Sequence, residues 1–135
     1  MFGAYDSPRL CVIALTRRTR ARACWRRAEG RAQCRVTFVT ALASLLSGRS
    51  VRADVAMTGE VSLTGRVLPI GGVKQKLLAA HRAGLTTVLL PARNAPDLDD
   101  VPLAVRDALD VHLVSDAHEA LAVALEPTSV NALAA

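Results

Sequence analysis

The residues best placed to do chemistry are Lys74 and Lys76, the chain's two lysines, which follow the glycine pair Gly71-Gly72. The spacing predicts a helix over Val73–Arg82, with Val73, Leu77 and Ala80 toward the core and Gly84 as its C-terminal cap. A lysine just inside a helix N-terminus faces the positive end of the dipole, which disfavours the charged form, and partial burial pushes the same way. A lysine so placed can serve as a general base; the alternative is a solvated surface lysine. Thr58 and Glu60 sit in a Thr-Gly-Glu turn upstream. His81, His112 and His118 have no known metal-ligand spacing and read as solvated or core histidines. Asp97, Asp99 and Asp100 read as a solvated loop and helix start rather than a cation site. The glycine pair is only a faint phosphate signal, because G-x-x-x-x-G-K-[ST] is absent.

The elements that must position these residues follow from periodicity. Val36–Leu46 reads as a helix with Phe38, Leu42, Leu45 and Leu46 on one side and Gly48 as the stop. Asp54–Met57 and Val61–Val67 read as strands, with Thr64-Gly65 a turn signal. Thr86–Leu90 is a continuous apolar run suited to a buried strand, closed by Pro91. Asp97–Leu109 reads as a loop followed by a helix from about Leu103, and Val111–Val114 as a short strand. Asp116-Ala-His-Glu119 fits a capping box opening a last helix through about Leu125. Helices alternating with strands in this order give a mixed α/β or α+β sandwich.

The wording of several segments is more specific than their periodicity. MTGE at 57–60, GRVLPIGGVKQKLLAAHRAG at 65–84, TTVLLPARN at 86–94 and DAHEALAVAL at 116–125 closely resemble the C-terminal proteolytic domain of the Lon family of ATP-dependent serine proteases. The resemblance runs from about Val36 to about Pro127. It implies the ribosomal-protein S5 domain 2-like fold, here incomplete, and a serine nucleophile paired with a lysine base without histidine. Lys76 matches the base lysine, and the resemblance places Thr58 near it, within reach of a hydrogen bond. It also implies cleavage of unfolded proteins or peptides, assembly of intact members into a homo-hexamer, a cytoplasmic location, and ATP and Mg held by a separate upstream module. No cofactor or metal site is expected within these residues.

The matching serine is not in place. The family nucleophile lies in a D-G-P-S-A-G motif, and counting back 43 positions from Lys76 reaches Gln33. A glutamine amide is not a nucleophile and no base can make it one. Ser44 lies 11 residues further on, roughly 16 Å along a helix, too far to substitute. The expectation is an inactive C-terminal fragment that keeps the base.

The charge distribution divides the chain at the same place. Residues 1–35 hold nine arginines, no lysine and two acids, whereas residues 36–135 hold eight basic residues and ten acids. Cys11, Cys24 and Cys34 and the only Trp and Tyr fall in the first segment. Reading the possible codons of residues 17–35 one base later permits DVHVHVPAGAVPKDGPSAG, which resembles the Lon sequence through its nucleophile. We therefore read 1–35 as a basic leader, disordered or out of frame after a single-base deletion near codons 35 and 36. Residues 36–127 are then the proteolytic-domain part, and 128–135 a frayed tail.

At 135 residues the chain suits one domain with an aliphatic core. No apolar run reaches the roughly 18 residues of a membrane span. The cysteine spacings match no zinc or redox pattern, so free thiols are expected. Two other functions compete with a peptidase fragment. One is a small nucleic-acid-binding protein using the arginine leader and Trp25, sequence-independent and salt-sensitive. The other is an inactive subunit that modulates Lon rings. No recognisable binding motif organises the leader, so nucleic acid is not the expected partner.

Overall fold

A computed structural model describes residues 35–127. Helix α1 (Arg35–Ser47) is followed by strand β1 (Val55–Met57). A small hairpin comes next, β2 (Glu60–Val61) and β3 (Val67–Leu68), and then helix α2 (Val73–Arg82). Strand β4 (Thr87–Pro91) leads through a run of 3-10 turns (Ala92–Asp100) to α3 (Leu103–Ala108), β5 (Asp110–Val114) and α4 (Ala117–Ala124). The class is α/β, as the element order predicts.

The main sheet is parallel, in the order β1-β4-β5, with Val55 opposite Thr87 and Val88 opposite Val111. Every residue of β4 is buried, so both faces of the sheet must be covered. Alternation along the strands divides the core accordingly. Ala56, Val88 and Leu90 pack with Ile70, Val73, Leu77 and Ala80 and with Val105 and Leu109, that is, under α2 and α3. Val55, Met57 and Leu89 pack with Val36, Val67, Ala120 and Ala124, under α1 and α4. The result is a three-layer sandwich.

Several boundaries match the periodicity. Gly48 and Gly84 take positive φ, 68° and 74°, at the ends of α1 and α2, where a side chain would be strained. Asp116 caps α4: its Oδ1 accepts the Glu119 N–H at 3.0 Å, while Glu119 Oε2 accepts the Ser115 N–H at 2.6 Å.

Two expected segments take a different form, and the buried side of α1 is one that periodicity leaves open. The segment Val61–Val67 is a hairpin rather than one continuous strand, turned at the signalled Thr64-Gly65: the N–H of Gly65, at φ 82°, donates to Ser62 O at 3.0 Å. The stretch before Leu103 is not an open loop. Ala92–Asp100 winds into 3-10 turns around Pro96, which has no N–H to donate to an α-helical ladder. The apolar side of α1 does not enter the core. Phe38, Leu42, Leu45 and Leu46 are 63%, 44%, 78% and 86% exposed, whereas Val36, Thr37 and Thr40 are buried. The compact β-branched side is the one that meets the sheet layer.

Among the described residues no helix is long and apolar enough to cross a membrane. Residues 1–34 of the leader, including Gln33 and the three cysteines, and the tail from 128 lie outside the described residues, whereas Arg35 opens α1.

This burial pattern makes a sharp contrast testable by urea unfolding. Leu77→Ala or Leu89→Ala should cost about 2–5 kcal/mol, as large-to-small core changes do. Leu45→Gln or Leu46→Gln should stay within about 0.5 kcal/mol, as exposed changes do. Equal losses at both pairs would contradict the assignment of α1's solvent face.

Candidate active site

In an open parallel sheet, functional groups gather beyond the carboxyl ends of the strands. Thr58 stands there, just after β1, half-buried, its N–H donating to Leu89 O at 3.2 Å. Gly59 follows and is buried, and its carbonyl accepts the Val36 N–H at 3.3 Å. A Cβ on Gly59 would lie 2.8 Å from Val36 Cγ2 and 3.0 Å from Val67 Cγ1. The missing side chain is what lets the first turn of α1 seat against the Thr-Gly-Glu turn. Arg35 Nε and Glu60 Oε1 lie 3.8 Å apart across the same junction, an exposed pair of little energetic weight.

Lys76 lies on α2, one turn from the start of the helix. Gly72 caps the helix in the left-handed region, φ 69°, with no side-chain cap, and the Lys76 N–H donates to Gly72 O at 3.2 Å. Burial of Val73, Leu77 and Ala80 sets the rotational phase of the helix. At roughly 100° per residue, Lys76 falls on the flank of that buried stripe and Lys74 outside it. Accordingly Lys76 is half-buried and Lys74 exposed. Thr58 and Lys76 thus sit on two elements whose starts and ends meet one edge of the sheet.

Three serines among the described residues, Ser44, Ser47 and Ser62, are engaged in local hydrogen bonds. Ser44 lies well along α1, and its hydroxyl donates to Arg49 O at 2.5 Å. Ser47 Oγ accepts the Arg49 N–H at 3.4 Å, and Ser62 Oγ accepts the Arg66 N–H at 3.1 Å. These hydroxyls close turns. His81, His112 and His118 fall on α2, β5 and α4, and His112 Nε2 lies 2.9 Å from Asp110 Oδ2. No group of three or more metal-ligating side chains converges among the described residues. Asp97 accepts from the Asn94 amide, and Asp99 Oδ1 lies 3.6 Å from Arg106 Nη1.

Two features escaped the sequence reading. Asn94 is a buried amide beyond β4, signalled only by a polar residue three places after a buried strand. Arg52 forks onto Asp54 at 3.2 and 2.6 Å, and Thr86 Oγ1 donates to Asp54 Oδ2 at 3.1 Å. This cluster clamps the amino ends of β1 and β4. The Arg52 hydrogen bonds hold the Asp54 carboxyl below its ordinary value of 3.8, against a smaller opposing effect of burial.

Residues 29–127 match the Lon protease (S16) C-terminal proteolytic domain. The chain belongs to this family. It is 85% identical over 92 residues to the Lon protease of Frankia alni, covering 68% of this chain and 10% of that protein. It is 65% identical over 97 residues to the Lon protease of Salinispora arenicola, 72% of this chain and 12% of that protein. The Lon protease of Mycolicibacterium smegmatis is 65% identical over 100 residues, 74% of this chain and 13% of that protein. The chain therefore spans about a tenth of the length of the Lon proteases it matches.

Two outcomes follow for this Lon-family edge. Gly59→Ala should cost about 1–3 kcal/mol through overpacking against Val36 and Val67, and should speed tryptic cleavage after Arg35 as α1 lifts from the turn. Unaltered stability and cleavage would mean that the close approach is not limiting. Asp54 has a folded-state pKa below its unfolded one, so its contribution is present above about pH 4 and is lost as pH falls through the lower folded value. Asp54→Asn should therefore flatten the acid limb of the stability–pH curve below about pH 4, measured by urea midpoints. A limb that keeps its slope would remove Asp54 from the acid response.

Proposed function

We propose that residues 36–127 are the carboxyl-terminal part of the peptidase domain of a cytoplasmic, ATP-dependent, Lon-type serine endopeptidase, with Lys76 as the general base of a Ser–Lys dyad. The observation that carries this reading is the half-buried Lys76 near the start of α2, in a chain 85% identical over 92 residues to a Lon protease. Thr58, anchored at the same edge of the sheet, would hydrogen-bond the lysine and hold it toward the first turn of α1. The positive end of that helix would favour the negative charge that develops on a substrate carbonyl during acyl transfer. The substrates are unfolded proteins or peptides, the intact enzyme is a homo-hexamer, and ATP with Mg is bound by a separate upstream module.

This chain by itself is inactive in this proposal. Gln33 holds the nucleophile's position and Lys76 has no serine to deprotonate. Its leader, residues 1–35, is the out-of-frame product of a single-base deletion. The nucleotide sequence of codons 17–36 tests that origin directly: AGT-GCC one base out of frame supports it, and any other bases at those positions refute it.

The chemistry is tested by repair. The purified chain should hydrolyse no fluorogenic peptide, with or without ATP. Replacing residues 17–35 by DVHVHVPAGAVPKDGPSAG should produce slow, ATP-independent peptide cleavage and labelling by a serine-directed phosphonate, both lost with Lys76→Ala. Turnover by the unrepaired chain that survives Lys76→Ala would sink the assignment. So would a folded, repaired chain that never labels.

A further inference from the structure

Between the hairpin and α2 the chain crosses the carboxyl edge as an unpaired strap, Pro69 to Gly72. Ile70, in the middle, is buried with Val73 and Leu77. A buried residue must find partners for both its N–H and its C=O. Neither group of Ile70 is satisfied by main chain. The Asn94 side chain takes both: its Oδ1 accepts the Ile70 N–H at 3.0 Å, and its Nδ2 donates to Ile70 O at 2.8 Å. The remaining Nδ2 proton goes to Asp97 Oδ2. Asn94 is itself only 3% exposed. A carboxamide has the donor and acceptor of a peptide group in one plane, so Asn94 replaces the strand neighbour that the strap lacks.

The position of this clasp gives it a consequence. Asn94 follows β4 at the carboxyl edge, three residues past Pro91, and the 3-10 turns of Ala92–Asp100 hold it there. Ile70 lies two residues before Gly72, the uncapped start of α2. With no side-chain cap at Gly72, what fixes where α2 begins is the strap, and the clasp fixes the strap. The Lys76 N–H is bonded to Gly72 O, so the lysine inherits that placement one turn on.

We infer that Asn94 is a positioning residue, an amide clasp on Ile70 that sets the start and rotational phase of the helix bearing Lys76. Its meaning for catalysis rests on the reading of Lys76 as the base; its effect on the lysine's placement does not. The only other lysine, Lys74, is exposed on the same helix two residues away and serves as an internal reference.

The test uses the full chain, acetylated sparingly with an amine-directed N-hydroxysuccinimide ester, with the Lys76:Lys74 ratio read by mass spectrometry. Amide hydrogen exchange is followed in parallel at Ile70 and Lys76 and, for comparison, at Leu89 and Leu90 in β4. With Asn94→Ala, the ratio should rise about threefold or more, and the Ile70 and Lys76 amides should exchange at least about tenfold faster, with Leu89 and Leu90 within about twofold. Asn94→Asp keeps an acceptor for the Ile70 N–H but loses the donor to Ile70 O, so it should restore Ile70 protection in part and leave the ratio raised. If neither variant folds, Asp97→Ala, at an exposed position, removes only the buttress of the clasp, and a raised ratio is again expected.

An unchanged Lys76:Lys74 ratio in the folded variants overturns the proposal, even if Ile70 loses protection, because Asn94 would then pin the strap alone. A uniform acceleration of exchange that includes β4 overturns it too, by making Asn94 an ordinary core residue. Because acetylation reads the lysine without catalysis, a repaired chain that fails to cleave peptides refutes the base and leaves the clasp standing. An unchanged ratio refutes the clasp and leaves the base.

Discussion

The central strand β4 is buried along its whole length and has a parallel partner on each edge. A parallel strand needs a crossover to reach its neighbour, and a strand buried on both faces needs a helical layer on each. Those two requirements account for most of the molecule. The crossover from β1 to β4 carries α2, and the crossover from β4 to β5 carries α3; both pack on the face presented by Ala56, Val88 and Leu90. The opposite face, with Val55, Met57 and Leu89, is left for α1 and α4. Crossovers of this kind start each helix at the carboxyl edge of the sheet, so the N-terminus of α2 and the Thr-Gly-Glu turn meet there by topology. The two elements that carry Thr58 and Lys76 are thus brought to one edge without any further device.

Two different kinds of contact secure that edge. At Gly59 the contact is steric: absence of a Cβ admits Val36 and Val67, and the first turn of α1 docks. At Asn94 it is polar: one amide supplies both partners of a buried peptide unit. The first is cheap to form and intolerant of any added atom. The second depends on an otherwise costly buried polar group being fully satisfied. The amino edge is tied differently, by the exposed fork of Arg52 on Asp54, which registers β1 against β4 but lies away from the lysine.

The chain belongs to the Lon proteolytic-domain family and spans about a tenth of the Lon proteases it matches. The exposed leucines and phenylalanine of α1 belong to this picture. A helix that buries only Val36, Thr37 and Thr40 leaves an apolar side for which the described residues supply no cover. The same helix begins two residues after Gln33. The uncovered side of α1 therefore lies at the amino-terminal margin of the described residues.

Much of this was legible in the residues themselves. Alternation and apolar runs determined the strands at 54–57 and 86–90, since a pleated strand buried on two faces admits little but aliphatic side chains. The stripe Val73, Leu77, Ala80 determined α2 and put Lys76 on its flank, because helical phase is a local property. The glycines at 48 and 84 and the Asp116–Glu119 box ended and began helices where local backbone chemistry required it. What the sequence could not decide was long-range. Periodicity shows that one side of α1 is apolar, but which side meets the sheet depends on the shape of the layer it meets. Thr64-Gly65 marks the turn within Val61–Val67, but the antiparallel pairing of Val61 with Val67 is formed only in the folded chain. Nothing local marks Asn94, whose partner Ile70 is 24 residues away. A side chain that completes another segment's backbone hydrogen bonds has no period and no motif; only the folded chain brings the two together.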